Sequence, residues 1–181
     1  MRTIATTRTV LVIFTILLNS CSSSIGGPET AVAGKGSCAA NFTATIKEQK
    51  DFNACGAYAY TAMGYPSIIG NDGKNWITIG FMTKDMGAVI PGTYTITNGA
   101  SLPSGQGFAV NFVYKEGSSA LDHTFASQSG TLELSVADGS HFKGTFIGST
   151  TRMEGEKDTR ELSGTFDVAF DDARSVRLKK H

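Results

Sequence analysis

Phe108-Ala109-Val110-Asn111-Phe112-Val113-Tyr114 places a large apolar side chain at positions 108, 110, 112 and 114. Successive side chains of a strand point to opposite faces, so this period of two marks a strand with one buried face. The same pattern recurs along the chain. Phe42, Ala44 and Ile46 share one face of a first strand, and Tyr58, Tyr60 and Ala62 one face of a second. In Trp76-Ile77-Thr78-Ile79-Gly80-Phe81, residues Ile77, Ile79 and Phe81 are expected to face the core, with Trp76 and Thr78 opposite. Tyr94 and Ile96 pair on one face, as do Leu132, Leu134 and Val136, then Phe142 and Phe146, then Leu162, Phe166, Val168 and Phe170. Val176 and Leu178 suggest a short last strand.

The breaks between these runs are rich in Gly, Asn, Asp, Ser and Pro. Gly70-Asn71-Asp72-Gly73-Lys74-Asn75 reads as a hairpin turn, because Asn, Asp and Gly tolerate positive φ, and Pro91-Gly92 reads as a second turn. No window after the leader shows a long period of three to four with caps, so any helix should be short and peripheral. The fold class is therefore all-β and antiparallel. It is expected to be a β-sandwich or a lipocalin-like barrel of about 8–9 strands, since an open sheet would leave edges unprotected and an apolar face wet.

One internal echo bears on pairing. His141-Phe142-Lys143-Gly144-Thr145-Phe146 and Glu161-Leu162-Ser163-Gly164-Thr165-Phe166 share an apolar-x-Gly-Thr-Phe pattern. It suits two paired strands joined by the polar loop from Ser149 to Arg160, with each glycine facing inward where a neighbour packs closely. Thr145 and Thr165 then face outward. With Ser129-Gly130-Thr131-Leu132 upstream, the region reads as a three-strand meander.

The amino terminus has a different character. Arg2 and Arg8 precede an apolar run from Val10 to Leu18, the layout of a signal peptide. The run is far shorter than the roughly 20 residues that span a bilayer core. Leu18-Asn19-Ser20-Cys21 follows and resembles the lipobox of bacterial lipoproteins, with an aliphatic residue three before the cysteine and a small one before it. The resemblance implies cleavage before Cys21 and lipidation of its thiol, which would tie the chain to a membrane. The alternative is an ordinary secretory signal cut near Ser20. The family's sorting rules link aspartate after the cysteine with inner-membrane retention in some bacteria; Ser22 stands here, which points to the outer membrane of the cell envelope. The expected organisation is a signal peptide over 1–20, a lipidated amino terminus and flexible spacer over 21–36, and a single β-rich domain over 37–181.

With Cys21 lipidated, Cys38 and Cys55 remain. An even remainder in an exported chain suggests a disulfide, which for a loop of this size stabilises by about 3 kcal/mol on the chain-entropy model. Free thiols are the alternative, and neither cysteine has a CxxC partner or a histidine at metal-ligand spacing. The chain carries 16 basic and 16 acidic residues, and the leader removes Arg2 and Arg8. That balance argues against a nucleic-acid partner. Arg174, Arg177, Lys179, Lys180 and His181 form a basic run after Asp171 and Asp172.

The strand and turn motifs Trp76-Ile77-Thr78-Ile79, Pro91-Gly92-Thr93-Tyr94-Thr95-Ile96, Ser129-Gly130-Thr131-Leu132 and Leu162-Ser163-Gly164-Thr165-Phe166-Asp167-Val168 occur in an order that resembles small bacterial lipoproteins, common in Bacteroidota, that share a β-rich domain with PGTY and SGTF motifs. They cover roughly the last two thirds of the mature chain. The resemblance implies a fold and an exported location and brings no catalytic residues with it.

No stretch spells out a reaction. A serine hydrolase needs a nucleophile, a histidine base and an orienting acid, yet no GxSxG is present. Asp122, His123, Asp138 and His141 form a hydrolase or metal cluster only if their loops converge. Glu133, Glu154, Glu156, Glu161 and Asp167 lack the pairing of a glycosidase. Asn71 to Asn75 lacks the alternating acids and closing glutamate of a calcium loop. No catalytic residue, cofactor or metal site is therefore expected. The reading is a non-enzymatic, membrane-tethered domain that binds a protein, lipid or glycan. Tyr58, Tyr60, Tyr65, Trp76 and Tyr114 are the candidate contacts, since such rings offer apolar faces and a polar edge. The competing readings are an envelope hydrolase using the loop Asp and His residues, and a purely structural envelope component.

Overall fold

The structure, a computed structural model, describes residues 39–47, 49, 51–62, 64–83, 88–98, 108–117 and 123–175. The alternating pattern produces ten strands: β1 (Phe42–Ile46), β2 (Phe52–Ala54), β3 (Tyr58–Ala62), β4 (Tyr65–Asn71), β5 (Asn75–Thr83), β6 (Gly92–Thr97), β7 (Phe108–Glu116), β8 (Thr124–Ala137), β9 (His141–Arg152) and β10 (Thr159–Ala169). They form one continuous sheet in the order β2-β1-β10-β9-β8-β6-β7-β5-β4-β3. All pairings are antiparallel apart from Ile96 beside Val110 in β6 and β7, and a bridge between Ala59 and Phe170.

That bridge curls the sheet into a barrel-like shape. Asp171 N donates to Ala59 O at 2.7 Å and Thr61 N to Ser175 Oγ at 2.9 Å. The chain leaving β10 thus runs alongside β3 and occupies the backbone groups of an edge that would otherwise invite another strand.

Alternation decides which faces meet inside. Phe42, Phe52, Ile77, Ile79, Phe81, Val110, Phe112, Phe125, Leu132, Phe146, Leu162, Phe166 and Val168 are all buried. Rings run across the interior from Phe52 to Phe42 (5.5 Å), Phe42 to Phe146 (5.8 Å) and Phe146 to Phe112 (5.9 Å). Glycines make room for them. Gly164 pairs with Phe146 and Gly144 with Phe166 across β9 and β10. A Cβ on Gly164 would lie 2.8 Å from the Phe146 ring, one on Gly144 2.9 Å from Phe166, and one on Gly70 2.6 Å from Phe42. The two echoed Gly-Thr-Phe segments therefore build one reciprocal layer, and the interior is packed with aromatic rings.

Several expectations need correction in detail. Ten strands replace about 8–9: the three-residue β2 is too short for alternation to reveal, and β4 carries Pro66 within it. Tyr58 and Tyr60 share a face as expected; it is the outer one, with Ala59 turned inward. A β-bulge between Leu134 and Val136 turns Val136 aside and seats Ala137 inward. The strand expected at Val176 and Leu178 lies outside the described residues, as do Cys21, Cys38 and the segments 1–20 and 21–36.

The β7–β8–β6 junction is a fork. The first residues of β8 pair with β7, Tyr114 opposite Phe125, whereas residues 129–134 pair with β6. Ser127 sits where the ladders part. Its Oγ donates to Thr97 O at 2.7 Å and accepts from Phe112 N at 3.2 Å. One buried hydroxyl thereby satisfies two backbone groups that the fork leaves without a ladder partner.

Candidate functional site

The outer face of β3, β4 and β5 gathers four of the five candidate contact aromatics. Tyr58 pairs with Ile69 and Tyr60 with Ser67; Ile69 pairs with Thr78, Ser67 with Gly80 and Asn71 with Trp76. By register these residues all point away from the core, and Tyr65, at the start of β4, shares their face. The four aromatics are half-buried. The span from Tyr65 to Asn71 is roughly 20 Å at strand rise, so the aromatics run the length of β4. Tyr58 and Tyr60 are 5.7 Å apart between ring centroids. Burial, and then the neighbouring Tyr58, push the Tyr60 hydroxyl above its ordinary value, so Tyr60 stays protonated and able to donate. The Arg174 guanidinium lies 4.3 Å from the Tyr58 centroid, and Lys115 Nζ lies 5.9 Å from the Trp76 ring. Cations placed on ring faces are held by the ring quadrupole.

Tyr114 does not join them. It is fully buried beside Phe125, 5.7 Å away, and its hydroxyl donates to Gln49 Oε1 at 2.8 Å. Burial first, then the charge of Glu116, drive its pKa far up. Tyr114 begins a polar closure at the end of the barrel that carries the β4–β5 turn. Glu116 Oε1 accepts from Gln49 Nε2 and, at 3.4 Å, from Arg160 Nε. Arg160 Nη1 reaches Asp158 Oδ1 at 2.6 Å, and Asp158 Oδ2 accepts from Arg152 Nη2 at 3.0 Å. Both guanidiniums stack on Phe125, at 5.2 and 5.3 Å. A hydrogen bond from Arg152, and then the charges of Arg160 and Arg152, hold the Asp158 carboxyl below its usual range. Nothing in the sequence announced this network, because its members come from four separate segments.

The second outer surface, over β8, β9, β10 and the lead into β1, is polar. Lys143 Nζ meets Asp167 Oδ2 at 2.9 Å, and His141 Nε2 contacts Asp167 Oδ1. Hydrogen bonds from Lys143 and then His141 lower the Asp167 pKa. A shallow depression of about 310 Å³ lies beside them, lined by Asn41, Ser135, Lys143, Thr145, Thr165 and Asp167 among others. Thr43 and Thr165 hydroxyls meet at 3.1 Å on this outward face.

The loop residues proposed for hydrolysis do not assemble. His123 precedes the first residue of β8, whereas Asp138 and His141 lie beyond its last. A strand of 14 residues separates them by roughly 40 Å, and Asp122 lies outside the described residues. Asp138 is a turn former: its Oδ1 accepts from Ser140 N, Ser140 Oγ and His141 N, which lowers its pKa. Asp72 plays the same part in the β4–β5 turn, where its Oδ1 accepts from Lys74 N and Asn75 N, and Gly73 supplies the positive φ of 88°. Its carboxylate is occupied by the turn's own donors. Among the described residues, no group of three or more His, Cys, Asp or Glu is placed to hold a metal ion, and no helix is long and apolar enough to cross a membrane. Cys55 is disulfide-bonded; its expected partner, Cys38, lies outside the described residues.

Comparison with protein-family models, with curated proteins and with solved structures found no match to this chain.

Proposed function

We propose that this chain is a lipid-anchored protein of the bacterial cell envelope, held at the outer membrane through Cys21, whose β domain acts by binding rather than by catalysis. The observation that carries the binding reading is the placement of Tyr58, Tyr60, Tyr65 and Trp76 on one outer face while phenylalanines occupy the interior. A barrel that carries its ligand inside would keep its centre open. Here the rings that present both an apolar face and a polar edge stand on the outside, the arrangement that suits stacking against the flat faces of sugar rings in an envelope glycan. Cys38 and Cys55 are proposed to close the disulfide that ties the start of the domain to the lead into β3.

The test is binding of envelope oligosaccharides to the mature chain, followed by thermal shift and, in chains that keep Trp76, by its fluorescence, with Tyr60→Ser and Trp76→Ala as variants. Saturable stabilisation that both substitutions weaken at least tenfold is expected. Retention of the ligand by both variants places recognition elsewhere. Labelled palmitate should enter the wild type and not Cys21→Ser. The packed interior also favours a second reading, a purely structural envelope component; unchanged melting across the glycan panel, with loss of envelope integrity on deletion, would decide for it.

A further inference from the structure

The aromatic face is not uniform, because a cation is fixed at one side of it. Past β10 the chain turns back along β3: Asp171 N donates to Ala59 O at 2.7 Å, and Thr61 N donates to Ser175 Oγ at 2.9 Å. Between those two points Asp172–Arg174 make a single 3-10 turn. Asp171 closes that turn. Its Oδ1 accepts from Ala173 N at 3.1 Å, while its Oδ2 lies 3.0 Å from Arg174 Nε. The turn thereby delivers the Arg174 guanidinium onto the Tyr58 ring, 4.3 Å from the centroid. Tyr60 is the ring's other aromatic neighbour, at 5.7 Å. Tyr58 is thus flanked by its own chain, and what this side of the face presents to a ligand is the guanidinium.

Arg174 stays 59% exposed although it is held by both Asp171 and Tyr58. A guanidinium carries five N–H donors in a rigid planar fork, and Asp171 engages it through Nε, so the terminal amino groups keep donors for a ligand. Order already imposed on the side chain does not have to be imposed again on binding. The neighbouring strands sharpen the contrast, since β3, β4 and β5 contain no charged residue. The next outward charge across the sheet is again a cation, Lys115 of β7, which pairs with Trp76 and lies 5.9 Å from its ring. The acids nearby are committed: Asp171 to Arg174 and its own turn, Asp72 to the donors of the β4–β5 turn, and Asp172 is likewise engaged. Tyr58 and Lys115 are separated by three strand spacings and one two-residue step, roughly 16 Å, which is room for several linked sugar rings.

We infer that the aromatic face takes an acidic oligosaccharide, with Arg174 reading a carboxylate on the sugar chain while neighbouring sugar rings lie against Tyr60, Tyr65 and Trp76. The inference deepens the glycan-binding reading and rests on it. A carboxylate is planar and accepts two parallel N–H bonds from a guanidinium, whereas a sugar hydroxyl accepts without charge and without that match. Charge-assisted bonds are about twice as strong as neutral ones, which at so exposed a position amounts to roughly tenfold in affinity.

The test compares oligomers of galacturonic acid with their methyl esters, which carry the same rings without the charge. Binding to the mature chain is read by calorimetry at about 50 and 500 mM salt. Wild type should bind the acid about tenfold more tightly than the ester at low salt, and the margin should shrink at high salt. In Arg174→Gln the ratio should fall to about twofold or less, and Arg174→Lys, which keeps the charge but not the fork, should recover part of it. The salt comparison needs no substitution, so it stands even if Arg174→Gln loosens the turn on β3. Acid and ester bound alike, no binding of either, or a ratio unchanged in Arg174→Gln overturns the inference and leaves the aromatic face to be judged on neutral glycans. A preference for the acid that survives both Tyr60→Ser and Trp76→Ala moves recognition off the aromatic face, and sinks that reading and this inference together.

Discussion

Ser127→Ala should be among the most costly single-atom deletions in the domain. The hydroxyl stands at the fork where β8 leaves β7 and takes up β6, bridging Phe112 N and Thr97 O. Ser127 is 1% exposed, so water is not at hand to replace it. Stranding a buried backbone donor costs about 1–3 kcal/mol, and the carbonyl loses a partner as well, so the expected loss is about 2–4 kcal/mol. In urea, at about 1–3 kcal/mol per molar, the midpoint should drop by roughly 1–2 M. Unfolding of the mature chain can be followed through Trp76, the single tryptophan. Ser129→Ala is the control: its exposed hydroxyl meets Ser149 Oγ at 3.1 Å on the outer face, and it should stay within about 0.5 kcal/mol of wild type. A Ser127→Ala midpoint as close to wild type as that control, at unchanged slope, would refute the reasoning: the fork would then be able to re-pair its backbone without the hydroxyl.

Gly144→Ala should cost about 1–3 kcal/mol in the same measurement, because the new Cβ would lie 2.3 Å from Glu133 O and 2.9 Å from Phe166 Cζ; Gly56→Ala, with open space around it, should be close to neutral. The Asp158 carboxyl is held below its ordinary value of 3.8, so its contribution is complete above that value and is lost as pH falls through the lower, folded one. Between pH 5 and 3 the denaturation midpoint should therefore fall less steeply in Asp158→Asn than in wild type, and parallel curves would show that the carboxylate does not link folding to pH. A non-reducing peptide map should contain a Cys38–Cys55 crosslink, and Cys38→Ser should lower stability by about 3 kcal/mol; a crosslink involving Cys21 would contradict both the disulfide and the lipid.

The strand class was legible because alternation is local. Phe42, Ile77, Ile79, Val110, Phe112, Leu132, Phe146, Phe166 and Val168 all face inward as their period requires. Where a bulge adds a residue, as before Val136, the period slips and the pattern misleads. For Tyr58, Tyr60 and Ala62 the pattern gives the shared face correctly, but alternation does not say which face is inside, and Ala59 is the inward residue. The Gly144 and Gly164 echo was legible as structure, since only close packing explains a glycine between large apolar neighbours. The polar network was not legible. Tyr114 meets Gln49, and Glu116 meets Arg160, only because the sheet curls, and no spacing in one chain records that curl.

The packing of the barrel makes its interior costly to open. Opening the interior to a ligand would mean losing rings such as Phe42 or Phe146, at about 3–5 kcal/mol each when cut to alanine. A domain stable by about 5–15 kcal/mol could give up only one or two of them. The outer surface carries no such penalty, and there the chain spends its costlier residues unequally. β8, β9 and β10 show Ser, Thr, Lys and Glu, a face that water satisfies. β3, β4 and β5 show Tyr, Ile and Trp. The sheet edge does not call for those rings, since residues 171–175 already occupy the backbone of β3. On the binding reading proposed above, these half-buried aromatics, which neither fill the core nor seal an edge, are the surface that would meet the ligand.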